Sequence, residues 1–87
     1  ILRVDGSHPD ALHLLGVLHL QAGEHQQAID LIEKAIDVAP QNPIYHCNLG
    51  TSYRGLRRFG RAITSFQEAL RLKPDYAQAW YNLGCSH

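Results

Sequence analysis

Cysteine is scarce in this chain. Cys47 and Cys85 are the only two among 87 residues, too few for a disulfide framework, and they read as small core or groove residues of a protein kept in a reducing compartment such as the cytoplasm. A surplus of charge is missing too. Eight Lys and Arg balance eight Asp and Glu, so there is no chain-wide field of the kind a nucleic-acid or polyanion binder carries. No apolar run approaches the roughly 18 residues of a membrane span. The first residues lack the charged, apolar, small-residue order of an export signal. No glycine-rich loop stands ready to cradle phosphate, and neither cysteine has a nearby base oriented by an Asp or Asn for nucleophilic attack. Six histidines occur, yet His13 and His19 do not share a helix face and His46 beside Cys47 points elsewhere, so no spacing matches a zinc site. Catalytic, cofactor and metal residues are therefore expected to be none, and the chain non-enzymatic.

What is present is a period. Leu15-Gly16, Leu49-Gly50 and Leu83-Gly84 recur every 34 residues, and Ala28 with Ala62, Ala35 with Ala69 and Pro40 with Pro74 keep the same interval. A fixed interval of this size marks a repeat array, in which each unit is one supersecondary element that buries its apolar face only by stacking on the next.

Within one period the pattern is helical. Asn42-Pro43 is a helix start, because the Asn side chain can cap free amides and Pro suits the first helical position. A helix is expected from about Pro43 to Arg54, with Cys47, Leu49, Gly50 and Tyr53 at helical spacing and Gly55 as its stop. Phe59 to Leu72 is the second helix, carrying Ala62, Ile63, Phe66, Ala69, Leu70 and Leu72 on one broad stripe, and Pro74 closes the unit. The preceding stretch repeats the plan with Pro9 to Ala22, a turn at Gly23, and Gln26 to Val38 before Pro40. A third unit opens at Asp75 as a cap and runs through Trp80 and Leu83.

The expected architecture is all-α, a solenoid of antiparallel helix pairs. Residues 1–8 would be the end of a preceding helix and turn, with Ile1 to Val4 helical and Gly6 where the later units place Pro. Residues 9–42 form the first unit, 43–76 the second, and 77–87 the first helix of a third, so the chain reads as a piece cut from a longer protein. Gly16, Gly50 and Gly84 permit close approach in first helices, and Ala28 and Ala62 do so in second helices.

These positions resemble the tetratricopeptide repeat, whose signature runs Trp-x2-Leu-Gly-x2-Tyr, then Ala-x3-Phe, then Pro. The second unit reads His46-x2-Leu49-Gly50-x2-Tyr53, then Ala62-x3-Phe66, then Pro74, with only the Trp position departing. The first reads Leu12-x2-Leu15-Gly16-x2-His19, then Ala28-x3-Ile32, then Pro40. The third keeps Trp80-x2-Leu83-Gly84 and places His87 where Tyr is usual. The strict spacing and the Leu-Gly and Ala positions separate the chain from helical repeats that read one RNA base per unit.

The resemblance implies a right-handed superhelix whose inner groove is lined by each unit's first helix and receives a partner peptide or helix. Carried onto this chain, the lining is Asp10, His13, Leu14, Val17 and Leu20, then Ile44, Cys47, Asn48, Thr51 and Arg54, then Gln78, Tyr81, Asn82 and Cys85. Asn48 and Asn82 hold the same place in successive units, where an amide can donate to and accept from a peptide backbone. An Asn there can equally cap, or simply sit at a wet surface. Leu14 breaks that ladder. With Val17, Leu20 and Ile44 it would make an apolar stretch suited to an aliphatic anchor or another copy of the chain, unless an earlier repeat covers it. Chaperone-binding members hold a C-terminal carboxylate with Lys and Asn where this chain has His13 and Val17, so a carboxylate clamp is not expected. The Asn-bearing groove is also similar to the repeats preceding the catalytic domain of O-linked N-acetylglucosamine transferases and their bacterial relatives. That gives a second reading, a substrate-selecting or oligomerisation arm of a larger enzyme.

Charge is unevenly spread. From Pro9 to Asn42 five acids face Lys34 alone, a net of −4, and from Pro43 to Tyr76 six bases face two acids, a net of +4. Arg54, Arg57, Arg58 and Arg61 crowd the turn of the second unit, either as a solvated edge or as a seat for an acidic partner or for head-to-tail contact between copies. Trp80 and Leu83 are expected to expose apolar surface at the terminal helix and favour self-association or fraying. No nucleic-acid or membrane partner is expected.

Overall fold

A computed structural model describes residues 8–86, so the readings placed on Ile1 to Val4, Gly6 and His87 lie outside the described residues. Five helices follow one another: α1 (Pro9–Gln21), α2 (His25–Val38), α3 (Pro43–Gly55), α4 (Phe59–Leu72) and α5 (Ala77–Ser86). No strand occurs among the described residues. Helix α1 pairs with α2 and α3 with α4, while α2 against α3 and α4 against α5 join successive pairs. The body is elongated, 39 × 25 × 17 Å, as a stack of antiparallel pairs joined by short turns must be. This is the α-solenoid read from the period.

Local chemistry sets the helix ends. The Asn42 side chain accepts the Ile44 amide at 2.9 Å, and Pro43 takes the first helical position of α3. Asp75 does not cap α5. The helix begins one residue later than that expectation requires, so Tyr76 takes the flanking place, and its carbonyl receives the Ala79 and Trp80 amides at 3.1 and 3.2 Å.

The turns inside the two pairs are the same motif 34 residues apart. In the first, Glu24 N–H reaches His19 O at 2.8 Å and Gly23 N–H reaches Leu20 O at 3.1 Å. In the second, Arg58 N–H reaches Tyr53 O at 3.0 Å and Arg57 N–H reaches Arg54 O at 2.9 Å. This paired bonding needs a left-handed residue just past the helix, and it is Gly23 at φ 81° in one turn and Arg57 at φ 60° in the other. Helix α3 itself ends at Gly55, as expected, and the left-handed residue that turns the chain comes two residues later. Gly55 is glycine for another reason: a Cβ there would collide with the ring of His25, which leans across from α2.

Packing within each pair turns on one missing side chain. A Cβ on Gly16 would stand 2.7 Å from Ile32 Cγ1, and one on Gly50 would stand 2.6–2.8 Å from the fully buried Phe66 ring. Ala28 and Ala62 are wholly buried on the facing helices. The close approach expected at Gly84 is not observed: nothing lies within 4 Å of its would-be Cβ, since no helix follows α5 among the described residues. The apolar surface expected along α5 is carried by Trp80 and Tyr81, while Leu83 packs into the core.

Candidate functional site

The first helices α1, α3 and α5 lie side by side, and the side chains between them bond across units. Tyr45 donates its hydroxyl to Asp10. Asn48 Nδ2 donates to His13 Nε2 at 2.8 Å, and Asn82 Nδ2 points at Cys47 Sγ at 3.9 Å. All three links span 35 residues, one more than the repeat: each side chain leans back onto the residue one place earlier in the preceding unit. Arg54 Nη1 adds a bond to Asn82 Oδ1 at 3.3 Å.

These bonds change the role of several residues expected to line the groove. Cys47, expected to line the groove, is fully buried. Burial pushes its thiol pKa up, against smaller opposing effects from Asn82, Tyr76 and Arg54. Asn82 is also buried, and Asn48 is half-buried with its amide already given to His13; polar groups placed this deep need partners. The Thr51 hydroxyl returns to its own helix at Cys47 O, 3.1 Å away.

Leu14 holds the place in α1 that Asn48 holds in α3, facing where a preceding unit would stack. Its neighbour Leu18 is 52% exposed, whereas Ser52, the counterpart in α3, is 0% exposed. Leu14 and Leu18 thus form an apolar edge at the N-terminal end of the stack. Tyr81, 71% exposed, is the matching edge at the other end, since its counterpart His13 packs against Tyr45 of the following unit at 4.6 Å between ring centres. Between the edges Ile44 and Gln78 are exposed and Val17, Thr51 and Arg54 partly so, Leu20 packs against the core, and Cys85 is exposed near the end.

Electrostatics follow burial. His13 is half-buried and its pKa is lowered chiefly by desolvation, against a weaker pull from Asp10. Burial, reinforced by the bond to Asp10, pushes Tyr45 up to about 12. Tyr76 is likewise pushed up to about 12, by burial and then by Cys47.

The sequence treated His46 as a departure from Trp, and the structure explains why it is harmless. His46 Nε2 meets Pro40 O at 2.9 Å, and Trp80 Nε1 donates to Pro74 O at the same 2.9 Å. Both rings carry an N–H at the right height to close the loop onto the proline carbonyl. The arginine group, by contrast, divides. Arg54 turns to Asn82 on the groove side, while Arg61 lies 5.8 Å above the Tyr53 ring, whose hydroxyl donates to Glu33 of α2 at 2.9 Å. Arg57 and Arg58 stay exposed at the turn. The role of Tyr45 was missed, because its counterparts in the other units are Ala11 and Ala79 and no repeat signal marks it.

Helix pairs stacked in register, with a strip of side chains open along alternate helices, define a helical-repeat scaffold. A model described as tetratricopeptide repeat matches residues 9–42 and one described as TPR repeat matches residues 57–87. The chain belongs to the tetratricopeptide-repeat family. It is 33% identical over 84 residues to the peroxisomal targeting signal receptor of Candida glabrata, covering 97% of this chain and 14% of the receptor. Among solved structures, an O-GlcNAc transferase mutant of Thermobaculum terrenum is similar with a TM-score of 0.90 and 38% identity, covering 92% of this chain and 15% of that one. The first TPR of Spaghetti (RPAP3), bound to an HSP90 peptide, is similar with a TM-score of 0.88 and 28% identity over 95% of this chain and 68% of that one. The chain thus spans a small part of the receptor and of the transferase. No described helix is long and apolar enough to cross a membrane.

Proposed function

We propose that this chain is a non-enzymatic protein-interaction module that receives an extended segment or a helix of a partner protein on the strip formed by α1, α3 and α5. The observation that carries this reading is the division of labour on that face. Tyr45, Cys47 and Asn82 are buried, Asp10, His13 and Asn48 are bonded across the junction between units, and Val17, Ile44, Thr51, Arg54 and Gln78 keep open surface beside them, so a partner meets a surface already held in shape. The similar RPAP3 domain was solved with a peptide, which supports a peptide as the occupant. His13 and Val17 leave no basic pair for a terminal carboxylate, so an internal segment is the better occupant. Two free cysteines, Cys47 and Cys85, suit the cytoplasm. No reaction is carried over from the transferase, of which this chain matches a 15% portion.

The exposed side chains give the cleanest test. Pull-down of partners with the wild-type chain and with Ile44→Glu plus Gln78→Ala, checked for equal helicity, should show partners lost from the variant. Equal recovery would remove the groove reading. The exposed ends, Leu14 with Leu18 and Trp80 with Tyr81, also support self-association through the edges. Sedimentation velocity at rising concentration tests this, and a monomer at every concentration would refute it.

A further inference from the structure

We propose that His13 is a positioning residue that sets the hydrogen-bonding polarity of the groove: its imidazole, bare at Nε2, takes an amide proton from Asn48 and leaves the Asn48 carbonyl oxygen for an N–H donor of the partner. The inference rests on the groove reading above and names the partner chemistry at one point of it.

The argument starts from what each atom can do. Asn48 Nδ2 stands 2.8 Å from His13 Nε2, and an amide nitrogen only donates, so Nε2 must offer a lone pair and the ring proton must sit on Nδ1. Among the described residues no donor meets Asn48 Oδ1. The ring is held from both sides of the junction, stacked at 4.6 Å on Tyr45 of α3, whose hydroxyl is in turn bonded to Asp10 of α1. Asp10 and Tyr45 are the titratable groups facing it from those helices. Burial keeps His13 neutral at ordinary pH despite Asp10.

His46 is the built-in contrast. Its Nε2 faces the Pro40 carbonyl at 2.9 Å, an acceptor only, so there the proton must be on Nε2. One small chain thereby holds two histidines in opposite tautomers, each dictated by its partner. The functional consequence lies with Asn48. While His13 is neutral, the groove accepts at this point, which fits a backbone N–H of an extended segment or a Gln, Asn, Lys or Arg side chain, and disfavours a carboxylate. Once His13 is protonated, both ring nitrogens donate, Asn48 must turn its amide over, and the groove presents an NH2 instead.

Long-range proton–nitrogen NMR on the free 87-residue chain at neutral pH tests this directly. His13 should show the Nδ1–H form and His46 the Nε2–H form in the same spectrum. The Asn48 side-chain amide signals should move with the His13 titration, at a midpoint below the ordinary 6.5, and lose that dependence in His13→Phe. An Nε2–H form at His13, or an Asn48 amide indifferent to the His13 titration, overturns the assignment. Neither readout uses a partner, so their failure leaves groove binding standing, and failure of the pull-down leaves the tautomer in place.

Discussion

Gly50 and Gly84 hold one place in the 34-residue frame and live in opposite surroundings. A methyl on Gly50 would press on the Phe66 ring, whereas one on Gly84 would touch nothing within 4 Å. Ser52 and Leu18 make the same contrast, one sealed and the other half in water, as do Cys47 and Tyr81. Helix α3 is flanked by α1, α2, α4 and α5, while α1 and α5 are each covered on fewer sides. In a solenoid the neighbouring helix, more than the motif itself, decides whether a motif residue is core.

The largest expected effects lie where that contrast is steepest. Phe66 is the largest fully buried side chain, and Phe66→Ala should cost about 3–5 kcal/mol in urea unfolding. Gly50→Ala should cost about 1–3 kcal/mol by overpacking the same contact. Gly84→Ala should instead stabilise by about 0.5–1 kcal/mol, since alanine is the better residue inside a helix with room around it. Changes of the same sign at the two glycines would break the comparison.

A smaller contrast separates the two turns. Gly23 and Arg57 both sit in the left-handed region, which costs an L side chain about 1–2 kcal/mol. Arg57→Gly should therefore stabilise by about 0.5–1 kcal/mol, the strain relieved being partly offset by the greater freedom of unfolded glycine. Gly23→Ala should lose about 1 kcal/mol, although nothing lies within 4 Å of it to clash. If thermal midpoints do not move in opposite directions, the turns are not equivalent.

Much of this was legible in the chain. The interval of the Leu-Gly, Ala and Pro positions placed all five helices, and α4 runs over Phe59–Leu72 as expected. What escaped was whatever depends on the next unit. Gly55 looks like a stop, and only the His25 ring arriving from α2 reveals it as a packing position. Asn48 and Asn82 look like a free ladder when units are superposed at 34, because the bonds that occupy them run at 35, across a junction no single unit contains. Leu14 stayed open between a groove anchor and a face for an earlier repeat, because its type suits both and its exposure follows from what stacks beside it. His46 was readable in retrospect from ring chemistry alone, since His and Trp share an N–H donor.

Titration separates the two junctions most finely. Tyr45 at the first and Tyr76 at the second are both pushed up from 10 to about 12, so the folded state holds these protons more tightly than the unfolded one. Their contribution is intact below pH 10 and is lost as pH rises toward 12, which means alkali should loosen both junctions. At the first junction acid acts through His13. Its folded pKa lies below 6.5, so as pH falls past that value the unfolded chain takes up the proton first and stability declines, while above it the contribution is constant. In His13→Phe that acid-side slope should shrink while the alkaline loss persists, and urea midpoints measured on either side of pH 6.5 for both proteins read the difference. An unchanged slope in the variant would mean that the Asn48–His13 contact does not couple proton uptake to the stacking of α1 on α3.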